Sequence, residues 1–207
     1  PAGLLCPDTE SFRRFAREAG VRTVLPGGGD RVVVGQMRKS DRVVEIGSSW
    51  GKCTQIIARS LGSPSHVVGL EISKEALKES RTLCPDINFV QADCLLEPYC
   101  ITKIATALLA MHSAPPTPDL SPGLVFFVDI GGNRELEALV ALLPWLMALG
   151  PPLLPTAPRL IVVKSQTLFK AATDAGGLGA ATWQDLTRTA EAAVGARWIH
   201  SPNPQRA

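Results

Sequence analysis

The stretch that most constrains this chain is Asp41 to Leu61, DRVVEIGSSWGKCTQIIARSL. Arg42 to Ile46 is β-branched and apolar and reads as a buried strand. Gly47-Ser48-Ser49-Trp50-Gly51 follows as a tight turn rich in small residues. Ile56, Ile57 and Leu61 then recur at helical spacing and stop before Gly62. A strand that runs through small residues into a helix N-terminus leaves a concave site. Main-chain N–H groups point into it, and no bulky side chain blocks the approach.

The same order recurs downstream. His66 to Ile72 is a second buried strand, and a helix over Ser73 to Leu83 follows, with Ser73 as its N-cap and Glu75 in its first turn. Ile87 to Ala92 is a third strand, followed by a helix through Ile101 to Met111. Gly123 to Val128 is a fourth, followed by a turn at Gly131-Gly132-Asn133 and a long helix from Arg134 to Leu149. Arg159 to Val163 is a fifth. Five apolar strands alternating with helices predict an α/β fold: a Rossmann-like, doubly wound, mostly parallel sheet with helices on both faces.

The two ends read differently. Residues 1–40 form an N-terminal segment, with a helix over Asp8 to Ala19 and then a hairpin or loop around Pro26-Gly27-Gly28-Gly29-Asp30. Phe12, Phe15, Ala16 and Ala19 make the inner face of that helix, and Arg13, Arg14 and Arg17 are assigned to a solvated face. This segment is the one candidate lid. Residues 41–207 form the main domain. Ser113 to Pro122 is a Pro-rich linker, Ala180 to Val194 a helix, and Arg197 to Ser201 one further strand of a reduced C-terminal hairpin.

Bulk properties exclude several classes. A net charge of +2 over 207 residues is not the balance of a dedicated nucleic-acid binder, although local basic patches are compatible with it. The five cysteines, Cys6, Cys53, Cys84, Cys94 and Cys100, contain no C-x-x-C pair. Neither a zinc ribbon, nor another metal site, nor a disulfide framework is expected, and the compartment reads as reducing. No apolar run approaches the roughly 20 residues that span a bilayer. The chain begins at Pro1 without an initiator Met or a signal peptide. It is expected to be a processed or cut intracellular protein, from the cytoplasm or from an organelle after loss of a targeting peptide.

Function in such sheets sits at strand ends. Here the five ends carry Glu45, Glu71, Asp93, Asp129 and Lys164. An acid at the second end can accept two hydrogen bonds from ribose hydroxyls. The turn departs from the dinucleotide pattern G-x-G-x-x-G, because Ser49 and Lys52 stand where glycines are required, which counts against NAD or FAD.

The series EIGSSWG, VVGLEIS, FVQAD, LVFFVDIGG and LIVVK resembles the successive motifs of class I S-adenosylmethionine-dependent methyltransferases. The resemblance covers about Asp41 to Lys164, with Ser49 in place of the middle glycine of the first motif. It implies that Glu45 holds the methionine amino group and that Gly47, Ser48 and Gly51 line the methionine part. It further implies that Glu71 binds the ribose hydroxyls and Ile72 packs on adenine. Asp93 would bond the adenine amino group, and Cys94 would contact the base through its backbone. The cofactor so implied is S-adenosyl-L-methionine. A nicotinamide enzyme is the rival for this fold.

The acceptor is less constrained. An Asn-Pro-Pro-Tyr motif is absent, and no cysteine stands at the fourth or fifth strand end, which argues against a covalent cytosine C5 enzyme. Asp129 with Lys164 resembles more weakly the pair used by ribose 2′-O RNA methyltransferases, so these two are the catalytic candidates. That family also uses a further Lys and a Glu. Lys39 or Arg31, and Glu191, are candidates by type, but their spacing does not match. Without a large insert, RNA or another macromolecule is the favoured acceptor. The alternative function is a non-catalytic, methyltransferase-like binding or assembly module.

Overall fold

The computed structural model describes residues 2–17, 37–95, 100–111, 123–131, 135–150, 154 and 157–174. Strands β1 (Ala2–Cys6), β2 (Arg42–Ile46), β3 (Val67–Glu71), β4 (Asn88–Gln91), β5 (Leu124–Val128) and β6 (Pro158–Lys164) form one sheet. Helices are α1 (Thr9–Arg17), α2 (Lys52–Leu61), α3 (Lys74–Leu83), α4 (Cys100–Met111), α5 (Glu135–Ala148) and α6 (Gln166–Asp174). The strand order is β1-β6-β5-β2-β3-β4, and every pairing is parallel. From β2 the chain steps outward through β3 to β4, then returns to the other side of β2 for β5 and β6. This is the doubly wound, Rossmann-like order, with its reversal between β2 and β5.

Strand side chains alternate, and both faces are covered. Val44, Ile46, Val68, Leu70, Phe126, Val128, Ile161 and Val163 pack with α4, α5 and Leu168 of α6. Val43, Val67, Val125, Phe127, Leu160 and Val162 pack on the other face with Phe12 and Phe15 of α1, Ile57 of α2 and Leu77 of α3. Among the described residues, three helices therefore cover each face. Helix α5 contains Pro144 and buries Leu136, Leu139, Leu142, Leu143 and Leu146 on the first face.

Strand β1 was not anticipated. Ala2 to Cys6 adds to β6 in register, Ala2 opposite Leu160 and Cys6 opposite Lys164. Residues 2–6 are thus the outermost strand on that side among the described residues. Helix α1 follows at once, with Asp8 as its cap: the Ser11 N–H donates to Asp8 Oδ1 at 2.7 Å. Phe12 is fully buried and meets Phe127 edge to face, with ring centroids 5.2 Å apart. Helix α6 was likewise not read from the sequence. The hairpin expected over Val21 to Gln36, most of the Ser113 to Pro122 linker, the helix of Ala180 to Val194 and the strand of Arg197 to Ser201 lie outside the described residues.

Candidate active site

The site begins with a carboxylate on the wrong side of water. Alternation along β2 puts Glu45 on the same face as Val43, under α1 and α2, and it is only 1% exposed. The Thr54 hydroxyl, one turn into α2, donates to Glu45 Oε2. Burial dominates and pushes its pKa up to about 8, partly opposed by hydrogen bonds from Thr54 and Cys53 and by the charge of Arg13.

Beyond Glu45 the chain must turn against its neighbours. Gly47 has φ +82°, and a Cβ there would lie 2.0 Å from the Asp129 carbonyl oxygen. Only glycine meets both demands. The Gly47 and Ser48 N–H groups donate to the Leu70 carbonyl at 2.9 and 3.0 Å, and the Asp129 N–H donates to the Ile46 carbonyl at 2.9 Å. The ends of β2, β3 and β5 are thereby tied together at the point where the sheet order reverses. Ser49 also adopts a left-handed conformation, φ +48°. Gly51, φ +75°, is needed for packing: a Cβ would lie 2.9 Å from the Phe89 ring.

At the end of β3, Glu71 is bound to this turn. Its Oε2 accepts the Ser49 N–H at 2.7 Å, and its Oε1 accepts the Ile72 and Ser73 N–H groups, each at 2.9 Å. Three of the carboxylate's roughly four acceptor positions are filled by main chain, which leaves one on Oε2. The two-hydroxyl clamp that the sequence suggests therefore has one open position in this state. Ile72 is 59% exposed, an apolar surface standing beside that acid. Farther along the edge, Asp93 Oδ1 accepts the Leu95 N–H at 3.0 Å. The Cys94 and Cys100 sulfurs are 3.1 Å apart, so the turn after β4 is held to the start of α4.

On the other side of the reversal, Asp129 Oδ1 and Lys164 Nζ form an ion pair at 2.6 Å, both partly exposed. Lys164 Nζ also lies 3.5 Å from the Thr9 hydroxyl. Among the other candidates of the 2′-O comparison, Lys39 is at the opposite, amino-terminal edge. It precedes β2, where Nζ donates to the Ser60 carbonyl, so it cannot join Asp129 and Lys164. Arg31 and Glu191 lie outside the described residues.

A cleft of about 380 Å³ opens over the reversal. It is lined by Glu45, Gly47, Ser48, Ser49, Trp50, Lys52, Cys53 and Asp129, and from α1 by Thr9, Phe12 and Arg13. The volume suits a small organic ligand. Of the residues singled out in the sequence, the cleft gathers Glu45, Gly47, Ser48 and Asp129. Glu71 reaches it through Ser49. Lys164 reaches it through Asp129. Asp93 and Cys94 stand farther along the same edge.

One correction comes with this geometry. Arg13 is not on the solvated face of α1: it lines the cleft, while Arg14 and Arg17 are exposed. Residues 2–6 pair with β6, and Thr9, Phe12 and Arg13 contribute to the cleft wall. Thr9, Phe12 and Arg13 are spaced i, i+3, i+4, which puts them on one helix face. That spacing was the available signal for the α1 contribution. Trp50, 56% exposed, was visible in the turn but was given no role. Among the described residues no helix is long and apolar enough to cross a membrane.

Comparison with protein-family models finds no match, and comparison with curated proteins finds none. Among solved structures, the chain is similar to fibrillarin in the fibrillarin/Nop5p complex, at 16% identity and a TM-score of 0.36, covering 54% of this chain and 46% of that one. It is similar to an S-adenosylmethionine-dependent methyltransferase from Mesorhizobium loti, at 17% identity and a TM-score of 0.29, covering 48% and 38%. It is also similar to the plantazolicin methyltransferase BpumL, in complex with a pentazolic desmethylPZN analog and SAH, at 15% identity and a TM-score of 0.33, covering 79% and 57%. The alignments span less than two thirds of each of these chains. The fold rests on the strand order itself: a Rossmann-like, doubly wound α/β domain with a ligand-sized cleft where that order reverses.

Proposed function

We propose that this chain binds S-adenosylmethionine over the β2–β5 reversal and transfers its methyl group to an acceptor, with RNA or another macromolecule favoured. One observation carries the reading. The acid at the end of β3 is hydrogen-bonded to the glycine turn after β2 (Ser49 N–H to Glu71 Oε2, 2.7 Å), which supports reading the two as adjoining subsites for a ribose and an amino-acid group.

Bound there, the cofactor supplies an electrophilic methyl group on a sulfonium. The protein's part is placement. Glu45 faces the amino group, with Gly47 and Ser48 beside it and Gly51 supporting the turn from behind. Glu71 offers its open acceptor position to a ribose hydroxyl. Ile72 offers an apolar face to the base, with Asp93 and Cys94 at the base's edge. Asp129 and Lys164 hold the acceptor and take its proton as the new bond forms.

The test is equilibrium binding of radiolabelled S-adenosylmethionine. Glu71→Ala should weaken it by about 1.5–3 kcal/mol, the loss of one charge-assisted hydrogen bond. An unchanged affinity sinks the assignment. A second reading, a non-catalytic module, draws support from the mutual pairing of Asp129 and Lys164, which satisfies both without an acceptor. Methylation assays on RNA separate the two. Under the catalytic reading, Asp129→Ala and Lys164→Ala lower turnover more than cofactor affinity. Equal losses in both indicate a structural pair.

A further inference from the structure

Two polar groups in the cleft have no partner among the described residues. The Nε of Arg13 is buried without an acceptor, and so is the hydroxyl of Ser48, a residue only 4% exposed. Both residues line the cleft. A buried guanidinium N–H or hydroxyl left unbonded is costly, so such groups imply a ligand that completes them.

The chemistry of that ligand follows from its surroundings. A guanidinium presents a planar fork of donors that matches a planar oxyanion through two parallel hydrogen bonds. The cleft floor is the Glu45 carboxyl, which burial keeps protonated up to about pH 8 and which a cation arriving beside it would ionise. A group with one negative and one positive end fits both halves. Its anion meets Arg13 and Ser48, and its cation meets Glu45. Arg13 lies close enough to Glu45 and Cys53 for its charge to act on both.

We propose that Arg13 of α1, with the Ser48 hydroxyl, anchors the carboxylate of a zwitterionic α-amino acid head group whose ammonium faces Glu45. This deepens the cofactor reading above and rests on it. It also gives β1 and α1 a role in binding. Phe12, the neighbour of Arg13, packs on Phe127 of β5 and fixes α1 beside the cleft.

The experiment is calorimetric titration of wild type and Arg13→Met with S-adenosylhomocysteine and with its decarboxylated analogue. Wild type should bind the analogue about 10- to 100-fold more weakly, the equivalent of one charge-assisted hydrogen bond. Arg13→Met should lose a similar factor for S-adenosylhomocysteine and change less than about threefold for the analogue. Arg13→Lys should recover part of the discrimination, since it restores charge without the fork. If Arg13→Met weakens both ligands equally, or neither, the anchor assignment is wrong while the cofactor reading stands. If wild type binds neither ligand, the cofactor reading falls and takes the anchor with it.

Discussion

Replacing Glu45 with Gln should make the protein's stability less dependent on pH. In the folded chain the Glu45 carboxyl titrates at about 8, against an ordinary 4.5, because burial under α1 and α2 penalises the charge. The sign follows from proton counting. Between those two values the folded state holds a proton that the unfolded state releases, so stability falls as pH rises. The contribution is fully present below about pH 4.5, erodes through the window, and is gone above about pH 8. Each unit of displacement corresponds to about 1.4 kcal/mol, so the window is worth on the order of 4–5 kcal/mol at most. Urea unfolding at pH 5, 6, 7 and 8 measures it, read as the difference between wild type and Glu45→Gln. The difference is needed because His66, lowered by burial from its ordinary 6.5, contributes a slope of opposite sign below that value. Wild type should lose stability relative to the variant by roughly 1 kcal/mol or more per unit between pH 5 and 8. A flat difference curve would show that Glu45 is ionised and solvated in the folded chain, and the account of the cleft floor would fail.

Two further substitutions test how the site is held. Gly47→Ala forces a Cβ against the Asp129 carbonyl at φ +82° and should cost at least ~2 kcal/mol in urea unfolding, whereas Gly62→Ala, at φ +74° with open space around it, should cost ~1 kcal/mol or less. Equal effects would mean that the crossing of β2 and β5 is not as tight as described. Asp41 is fully buried, accepts Arg159 Nε at 2.9 Å with a second contact from the same guanidinium, and accepts the Arg38 N–H at 2.6 Å. Asp41→Ala should therefore destabilise by about 3 kcal/mol, and a loss below about 1 kcal/mol would place that pair in effective contact with water.

Much of the main sheet was legible because its signals are local. The Arg42 to Ile46 strand matches β2 residue for residue, and Ser73 caps α3 as expected, accepting the Ala76 N–H at 3.2 Å. The strand-end residues could be named because a polar residue closing an apolar run is visible in one dimension. What was missed is set by partners far away in the chain. AGLLC carries few strand formers, and it becomes β1 only because β6 supplies an edge more than 150 residues later. Arg13 flanks an apolar stripe, where an arginine ordinarily reaches water. Its spacing with Thr9 and Phe12 marks the helix face, but the cleft that receives that face exists only through the β2–β5 reversal. The three N–H groups on Glu71 belong to the backbone, so no side-chain pattern could announce them.

The central claim is that the β2–β5 cleft takes S-adenosylmethionine. Calorimetric titration of the purified chain with S-adenosylhomocysteine, alongside NAD, tests it most directly. The account predicts saturable binding of S-adenosylhomocysteine in the micromolar range, weakened about 10- to 100-fold in Glu71→Ala, with no binding of NAD. Binding of NAD alone, or of neither ligand, would contradict it.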